Sequence, residues 1–92
     1  MGLTVSRHTA LMSDETSGIT VYWRPGCGYC SGLFRQLDHL QVAYDAVDIW
    51  CDPEAAAFVR ATASGNETVP TVSIGAVTLV NPTVHEVLAA RQ

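Results

Sequence analysis

No lysine occurs in this chain of 92 residues, and its five basic side chains are all arginines, spaced singly from Arg7 to Arg91. With a formal net charge of −4 and no basic stripe, nothing in the sequence is built to neutralise a phosphate backbone. Nucleic acid is therefore excluded as a partner class. Long apolar runs are missing too. None approaches the roughly 20 residues that cross a bilayer, and the segment from Met1 to His8 lacks the apolar core of a signal peptide. Cysteine is scarce: three thiols are an odd number and too few for a secreted disulfide scaffold. We therefore expect a cytoplasmic protein without membrane contact, in a compartment that keeps thiols reduced. Charged residues are 15% of the chain against 48% hydrophobic, a balance that suits one small compact domain rather than disorder.

Two of the three cysteines stand together in Cys27-Gly28-Tyr29-Cys30. The run before them, Ile19-Thr20-Val21-Tyr22-Trp23, reads as a strand, and the run after them reads as a helix. A cysteine at a helix start faces unpaired backbone N–H groups, whose partial positive charge favours thiolate over thiol. The second cysteine lies one turn deeper and can attack a mixed disulfide formed on the first. Nucleophile and resolving partner thus share one helical turn. A zinc site would need a second cysteine pair, and Cys51 is the only other thiol; His8, His39 and His85 lie at no ligand-like spacing from one another. A structural disulfide across two residues closes too small a loop to stabilise much. Redox chemistry is the reading that fits, with no metal site expected.

Residues 1–18 carry no clear period and end in a polar stretch, which predicts a flexible N-terminal extension ahead of a domain over 19–92. A short helix at 5–12 and a natural start at Met12 are the alternatives. The first strand closes at Arg24-Pro25-Gly26, where Pro and Gly enforce a turn. The following helix places Leu33, Phe34, Leu37 and Leu40 in a stripe toward the sheet. Residues 43–49 read as a second strand. Asp52-Pro53-Glu54 marks a helix start, with Asp as cap, Pro in the first position and Glu in the first turn; Ala55, Phe58, Val59 and Thr62 form its inner face. Two β-rich runs, 71–74 and 77–80, are joined by Gly75-Ala76, which predicts a type II′ hairpin. Asn81-Pro82-Thr83 repeats the helix-start logic, and Val84, Val87 and Leu88 give a last helix its apolar face. The expected class is α/β, in the order β-α-β-α-β-β-α: a four-stranded mixed sheet with three helices, whose first βαβ unit is right-handed and parallel.

This order, with CxxC after the first strand and Thr68-Val69-Pro70 before the third, resembles the glutaredoxin branch of the thioredoxin-like fold. Tyr22, Arg24 and the segment Tyr44-Asp45-Ala46-Val47-Asp48-Ile49 add to the resemblance, which covers residues 19–91. Arg24 stands where glutaredoxins usually carry a lysine. The resemblance implies a cis bond at Pro70, which would bring the Val69 backbone beside Cys27 to pair with a bound thiol like an added strand. It also implies a substrate site from Arg24, Tyr29, Thr68, Val69, Pro70, Asn81 and Thr83 around the catalytic Cys27 and Cys30. Glutathione-using members usually place Gly-Gly before the last helix to cradle a γ-glutamyl carboxylate; here the segment is Leu79-Val80-Asn81-Pro82-Thr83. In this respect, and in Cys-Gly-Tyr-Cys and the Ala55-Ala56-Ala57-Phe58-Val59 helix, the chain looks like the mycoredoxins. These reduce mixed disulfides of mycothiol, a sugar-based thiol without that carboxylate. Mycoredoxins commonly have Trp just before the first cysteine, where this chain has Gly26.

The resemblance implies a thiol–disulfide oxidoreductase with no tightly bound cofactor. Mycothiol, or glutathione, would be its co-substrate, S-thiolated proteins its targets and an NADPH-linked disulfide reductase its upstream partner, the protein itself acting as a monomer. Three alternatives stay open. Arg24-Pro25-Gly26 resembles the redoxins that are fed by thioredoxin reductase and donate electrons to ribonucleotide reductase. A glutathione-dependent glutaredoxin is the second. The third is an iron–sulfur carrier, because Gly28 leaves room beside the first cysteine. Tyr29 is expected to shield the disulfide, stack on substrate or pack on the helix, Trp23 to pack, and His39 to lie solvated near the helix end. Thr83 is expected to touch substrate or serve the helix cap, and Cys51 to be a bystander or a regulatory thiol.

Overall fold

The computed structural model describes residues 18–91. The 1–18 extension up to residue 17, the helix expected at 5–12, the start at Met12 and the last residue of the domain lie outside the described residues. Strand β1 (Ile19–Trp23) leads into helix α1 (Gly28–His39), then strand β2 (Asp45–Asp48) and helix α2 (Pro53–Thr62). Strands β3 (Thr71–Ile74) and β4 (Val77–Val80) follow, and helix α3 (Val84–Ala90) closes the described part of the chain. The sheet order is β2-β1-β3-β4. β1 and β2 run parallel, while β1–β3 and β3–β4 are antiparallel. This is the mixed four-stranded α/β architecture expected from the sequence. Among the described residues no helix is long and apolar enough to cross a membrane.

Two apolar clusters flank the sheet. One joins Ile19, Val21 and Val72 to Leu33 and Leu37 of α1 and Val84 and Val87 of α3. The other joins Ile49 and Val69 to Ala55, Ala56 and Val59 of α2, and contains Cys30. The small Ala55 and Ala56 let α2 settle close, so they are buried while Phe58, expected inside, is 38% exposed and leans on the Tyr22 ring at 5.1 Å. Thr62 is only half-buried.

Leu40, also expected inside, is 48% exposed because the helix ends before it. Gln41 takes φ +59°, and the Val42 N–H donates to the Leu37 carbonyl at 3.0 Å. That is a Schellman closure, and Val42 enters the core in place of Leu40. β2 is shorter than the 43–49 expected. Its last ladder contact is the Ile49 N–H donating to the Trp23 carbonyl at 2.9 Å, after which the Asp48 carboxylate accepts from the Trp50 N–H and turns the chain.

Gly75 takes φ +58° while Ala76 keeps out of the left-handed region, as a type II′ turn requires. Asp52 caps α2 as its sequence predicts, accepting from the N–H groups of Glu54 and Ala55 at 3.1 Å each. α3 starts later than the Asn81-Pro82-Thr83 pattern suggests. Thr83 is its cap, with Glu86 accepting from the Thr83 N–H at 2.8 Å and the Thr83 hydroxyl accepting from Glu86 N–H at 3.1 Å. In a helix of seven residues this reciprocal pair matters. Thr83→Ala is expected to lower the unfolding free energy by about 1 kcal/mol, read as a lower urea midpoint at unchanged slope.

Candidate active site

The turn Arg24-Pro25-Gly26 carries the chain from the end of β1 to the head of α1, where Cys27 is the N-cap residue. Gly26 takes φ +82°, a conformation glycine adopts without a side-chain clash. The cap geometry turns the Cys27 sulfur toward the helix: Sγ accepts from the Cys30 N–H at 3.2 Å. The same sulfur donates to the Val69 carbonyl at 3.6 Å. The Val69–Pro70 bond is cis, as the resemblance implied, and the Val69 backbone lies beside Cys27. Cys27 is half-buried and Cys30 is 1% exposed, so a disulfide approaching from solvent meets Cys27 first. Both thiols are free.

Cys30 sits in the apolar cluster under α2. Burial, and then the hydrogen bond and charge of Cys27, push its thiol up to about 12, with the Arg24 backbone N–H and guanidinium opposing. The Arg24 guanidinium thus works against the effect of burial on Cys30. At neutral pH a thiol titrating near 12 holds about one part in 10⁵ as thiolate.

Around the cysteines the structure gathers most of the other expected residues. Thr68 is half-buried, and its carbonyl accepts from the hydroxyl of Thr71, a fully buried side chain, at 2.7 Å. The Asn81 N–H donates to the Pro70 carbonyl at 2.7 Å, tying the loop before α3 to the cis-proline loop. Asn81 and Thr83 line one wall of a cleft of about 540 Å³, and Tyr29 and Gly28 line the other. The Tyr29 ring is 75% exposed, so it is not packed on its helix. Trp23 packs, edge-on against Phe34 at 5.9 Å.

Residues beyond those expected also form this cleft, among them Gly32, Pro82, Arg35 and His85. Gly28 and Gly32 stand one turn apart in α1, and a Cβ added at either would meet open space. The signal was present in the sequence: each glycine inside a helix costs about 1 kcal/mol relative to alanine, so a pair at i, i+4 marks a face kept bare.

Cys51 is not gathered into this arrangement. It is exposed, and its thiol donates to the Asp48 carboxylate at 3.6 Å. That hydrogen bond and the Asp48 charge raise its pKa, which makes it the poorer nucleophile. Among the described residues no group of three or more His, Cys, Asp or Glu side chains is placed to hold a metal ion.

Residues 19–78 match the model of the glutaredoxin family. The chain belongs to the glutaredoxin family. As a glutaredoxin it is a thiol–disulfide oxidoreductase whose family works with low-molecular-weight thiols. It is 44% identical over 75 residues to a Mycobacterium tuberculosis protein named among the glutaredoxins, covering 80% of this chain and 89% of that one. It is 38% identical over 74 residues to Mycoredoxin 1 of Corynebacterium glutamicum, covering 79% and 91%. Among solved structures it is similar to the glutaredoxin-like NrdH-redoxin of Escherichia coli. That likeness has a TM-score of 0.59 and 27% identity over 67% of this chain and 79% of the other. It is also similar to a glutaredoxin from Brucella melitensis, with a TM-score of 0.61 and 25% identity over 78% of each chain.

Proposed function

We propose that this glutaredoxin reduces mixed disulfides between proteins and a small thiol, with Cys27 as nucleophile, Cys30 as resolving thiol and mycothiol as the small thiol. The observation that carries the reading is the placement of Cys27. Its sulfur caps α1, accepts the Cys30 N–H and is the more exposed of the pair. The Cys27 thiolate attacks the small-thiol sulfur of the mixed disulfide. A new disulfide forms between Cys27 and the small thiol, and the protein thiolate leaves and takes up a proton. A second small-thiol molecule, as thiolate, then attacks the small-thiol sulfur on Cys27. The free enzyme and a symmetric small-molecule disulfide result, and an NADPH-linked reductase returns that disulfide to two thiols. In the alternative second step Cys30 gives up its proton and attacks Cys27, leaving a Cys27–Cys30 disulfide and a free small thiol.

Val69 offers its backbone as a strand-like partner to the substrate, held in place by Thr68 and Pro70. Asn81, Thr83 and Tyr29 form the walls against which the small thiol lies, and Arg24 stands at the entrance turn. The choice of mycothiol rests on two supports. The segment Leu79-Val80-Asn81-Pro82-Thr83 has no glycine pair to cradle a γ-glutamyl carboxylate, and the chain is 38% identical to a mycoredoxin. The cytoplasm, where small thiols are kept reduced, is the setting this activity needs.

The experiment is NADPH oxidation on a protein mixed disulfide, run separately with mycothiol and its disulfide reductase, with glutathione and its reductase, and with thioredoxin reductase. Turnover in the mycothiol system alone is the expected result. Turnover through thioredoxin reductase alone would move the protein to the donors of ribonucleotide reductase, the reading toward which the likeness to NrdH-redoxin points.

A further inference from the structure

The cleft lined by Gly28 and Tyr29, the two residues between the cysteines, does not end at Thr83. It continues along α1 into a second depression of about 400 Å³, whose floor is Leu40 and Val84 and whose rim is Arg35, His39 and His85. Arg35 and His85 line both depressions, so the two form one groove from Tyr29 to the end of the helix. Its charge is unusual for this molecule. The chain carries nine acidic residues and a net charge of −4, yet among the described residues no carboxylate lines either part of the groove. The two carboxylates on the flanking helices are engaged elsewhere, Asp38 by the Tyr44 hydroxyl at 2.9 Å and Glu86 by the Thr83 N–H at 2.8 Å. Arg60 is paired with Glu67 at 2.7 Å, whereas Arg35 has no ion-pair partner among the described residues. Both described histidines face the same groove and supply N–H donors.

We infer that this distal groove docks an acidic, extended segment of the protein whose mixed disulfide Cys27 attacks. The inference rests on the reading of Cys27 given above. Arg35 stands eight residues along α1 from Cys27, about 12 Å at the helical rise. An extended chain covers that distance in three to four residues. The segment therefore presents a carboxylate about four positions from its disulfide cysteine, to Arg35 and the imidazoles. An apolar side chain about two positions further reaches Leu40, which is 48% exposed. The apolar floor and a rim of one guanidinium and two imidazole donors together select a peptide, because a free small thiol spans only the first depression.

The test uses cysteine peptides carrying the small-thiol mixed disulfide, with Glu or Gln four positions before or after the cysteine. One Glu peptide is expected to show kcat/KM about fivefold above its Gln counterpart, an advantage that fades with added salt and vanishes in Arg35→Glu. Equal rates for all peptides, or an advantage that survives Arg35→Glu, would overturn the inference. An NMR titration with the same peptides, their cysteine replaced by serine, reads docking apart from chemistry. Shifts at Arg35, His39, Leu40 and His85 that need the Glu support the groove, and their absence at millimolar peptide overturns it. Turnover of the small-thiol disulfide alone tests the reading of Cys27, so the two failures are told apart.

Discussion

Cys27→Ser is expected to reduce turnover of mixed disulfides to the uncatalysed background at neutral pH. A serine hydroxyl is a far weaker acid than a thiol and its oxygen a poor nucleophile toward sulfur, so the attack on the disulfide has no nucleophile. The substitution is a clean one. Serine is among the best N-cap residues, so the cap on α1 that the Cys27 sulfur now provides at 3.2 Å is kept and the loss is chemical rather than structural. The check is NADPH-coupled turnover, with the circular dichroism of the variant compared with the wild type. Retained turnover would end the assignment of Cys27.

Cys30→Ser divides the two routes. Turnover with a small thiol as second attacker should continue, while reduction of a protein disulfide with no small thiol present should stop. Two of the three influences that raise the Cys30 pKa, the hydrogen bond and the charge, come from the Cys27 sulfur. Once that sulfur is in a mixed disulfide its charge no longer opposes ionisation of Cys30, while burial, the largest cause, stays. The buried thiol is thus a poor first nucleophile whose expected role begins only after Cys27 has been joined to the small thiol.

Much of this was legible in the sequence, for identifiable reasons. β1 and the hairpin turn were readable because their signals are local: a β-branched run, Pro-Gly, and a glycine at the one position that needs positive φ. Asp52 was readable because capping is a contact within three residues. Leu40 and Phe58 were misplaced because periodicity assumes the helix continues and the neighbouring face is free. A Schellman closure at Gln41 substitutes Val42 for Leu40, and two alanines bring α2 too close for Phe58 to turn inward. In the site, Cys27 and Cys30 announce themselves by spacing. The meeting of Asn81 with Pro70 at 2.7 Å does not, since it joins residues from two separate loops. The groove is likewise a product of packing: Arg35 on α1 and His85 on α3 are distant in sequence and share a wall only once both helices lie on one face.

Reduced protein is expected to lose stability steeply above about pH 9, and the absence of lysine makes the effect readable. From about pH 8.5 to 12 the side chains that change charge are three thiols and three phenols, with no ammonium groups among them. Cys30 has an ordinary value of 9.0 and is pushed up to about 12 in the fold, first by burial and then by Cys27. Tyr22 is raised by burial and Asp52, and Tyr44 by burial and the Asp38 carboxylate it hydrogen-bonds. Each is an acid held neutral by the fold. Its stabilisation is complete below the unfolded pKa and is lost as pH rises from that value toward the folded one, because only the unfolded chain releases the proton. For Cys30 the loss runs at about 1.4 kcal/mol per pH unit from about pH 9, and the tyrosines add to it from about pH 10. Against a total of about 5–15 kcal/mol for a domain, that is a large share. Urea midpoints at pH 8, 9, 10 and 11 measure it. Cys30→Ser, and the Cys27–Cys30 disulfide form, should both hold their stability to about one pH unit higher, since only the phenols then titrate under burial. A wild-type midpoint flat to pH 11 would show that Cys30 ionises as freely in the fold as outside it, and the distinction drawn between the two thiols by burial would fail.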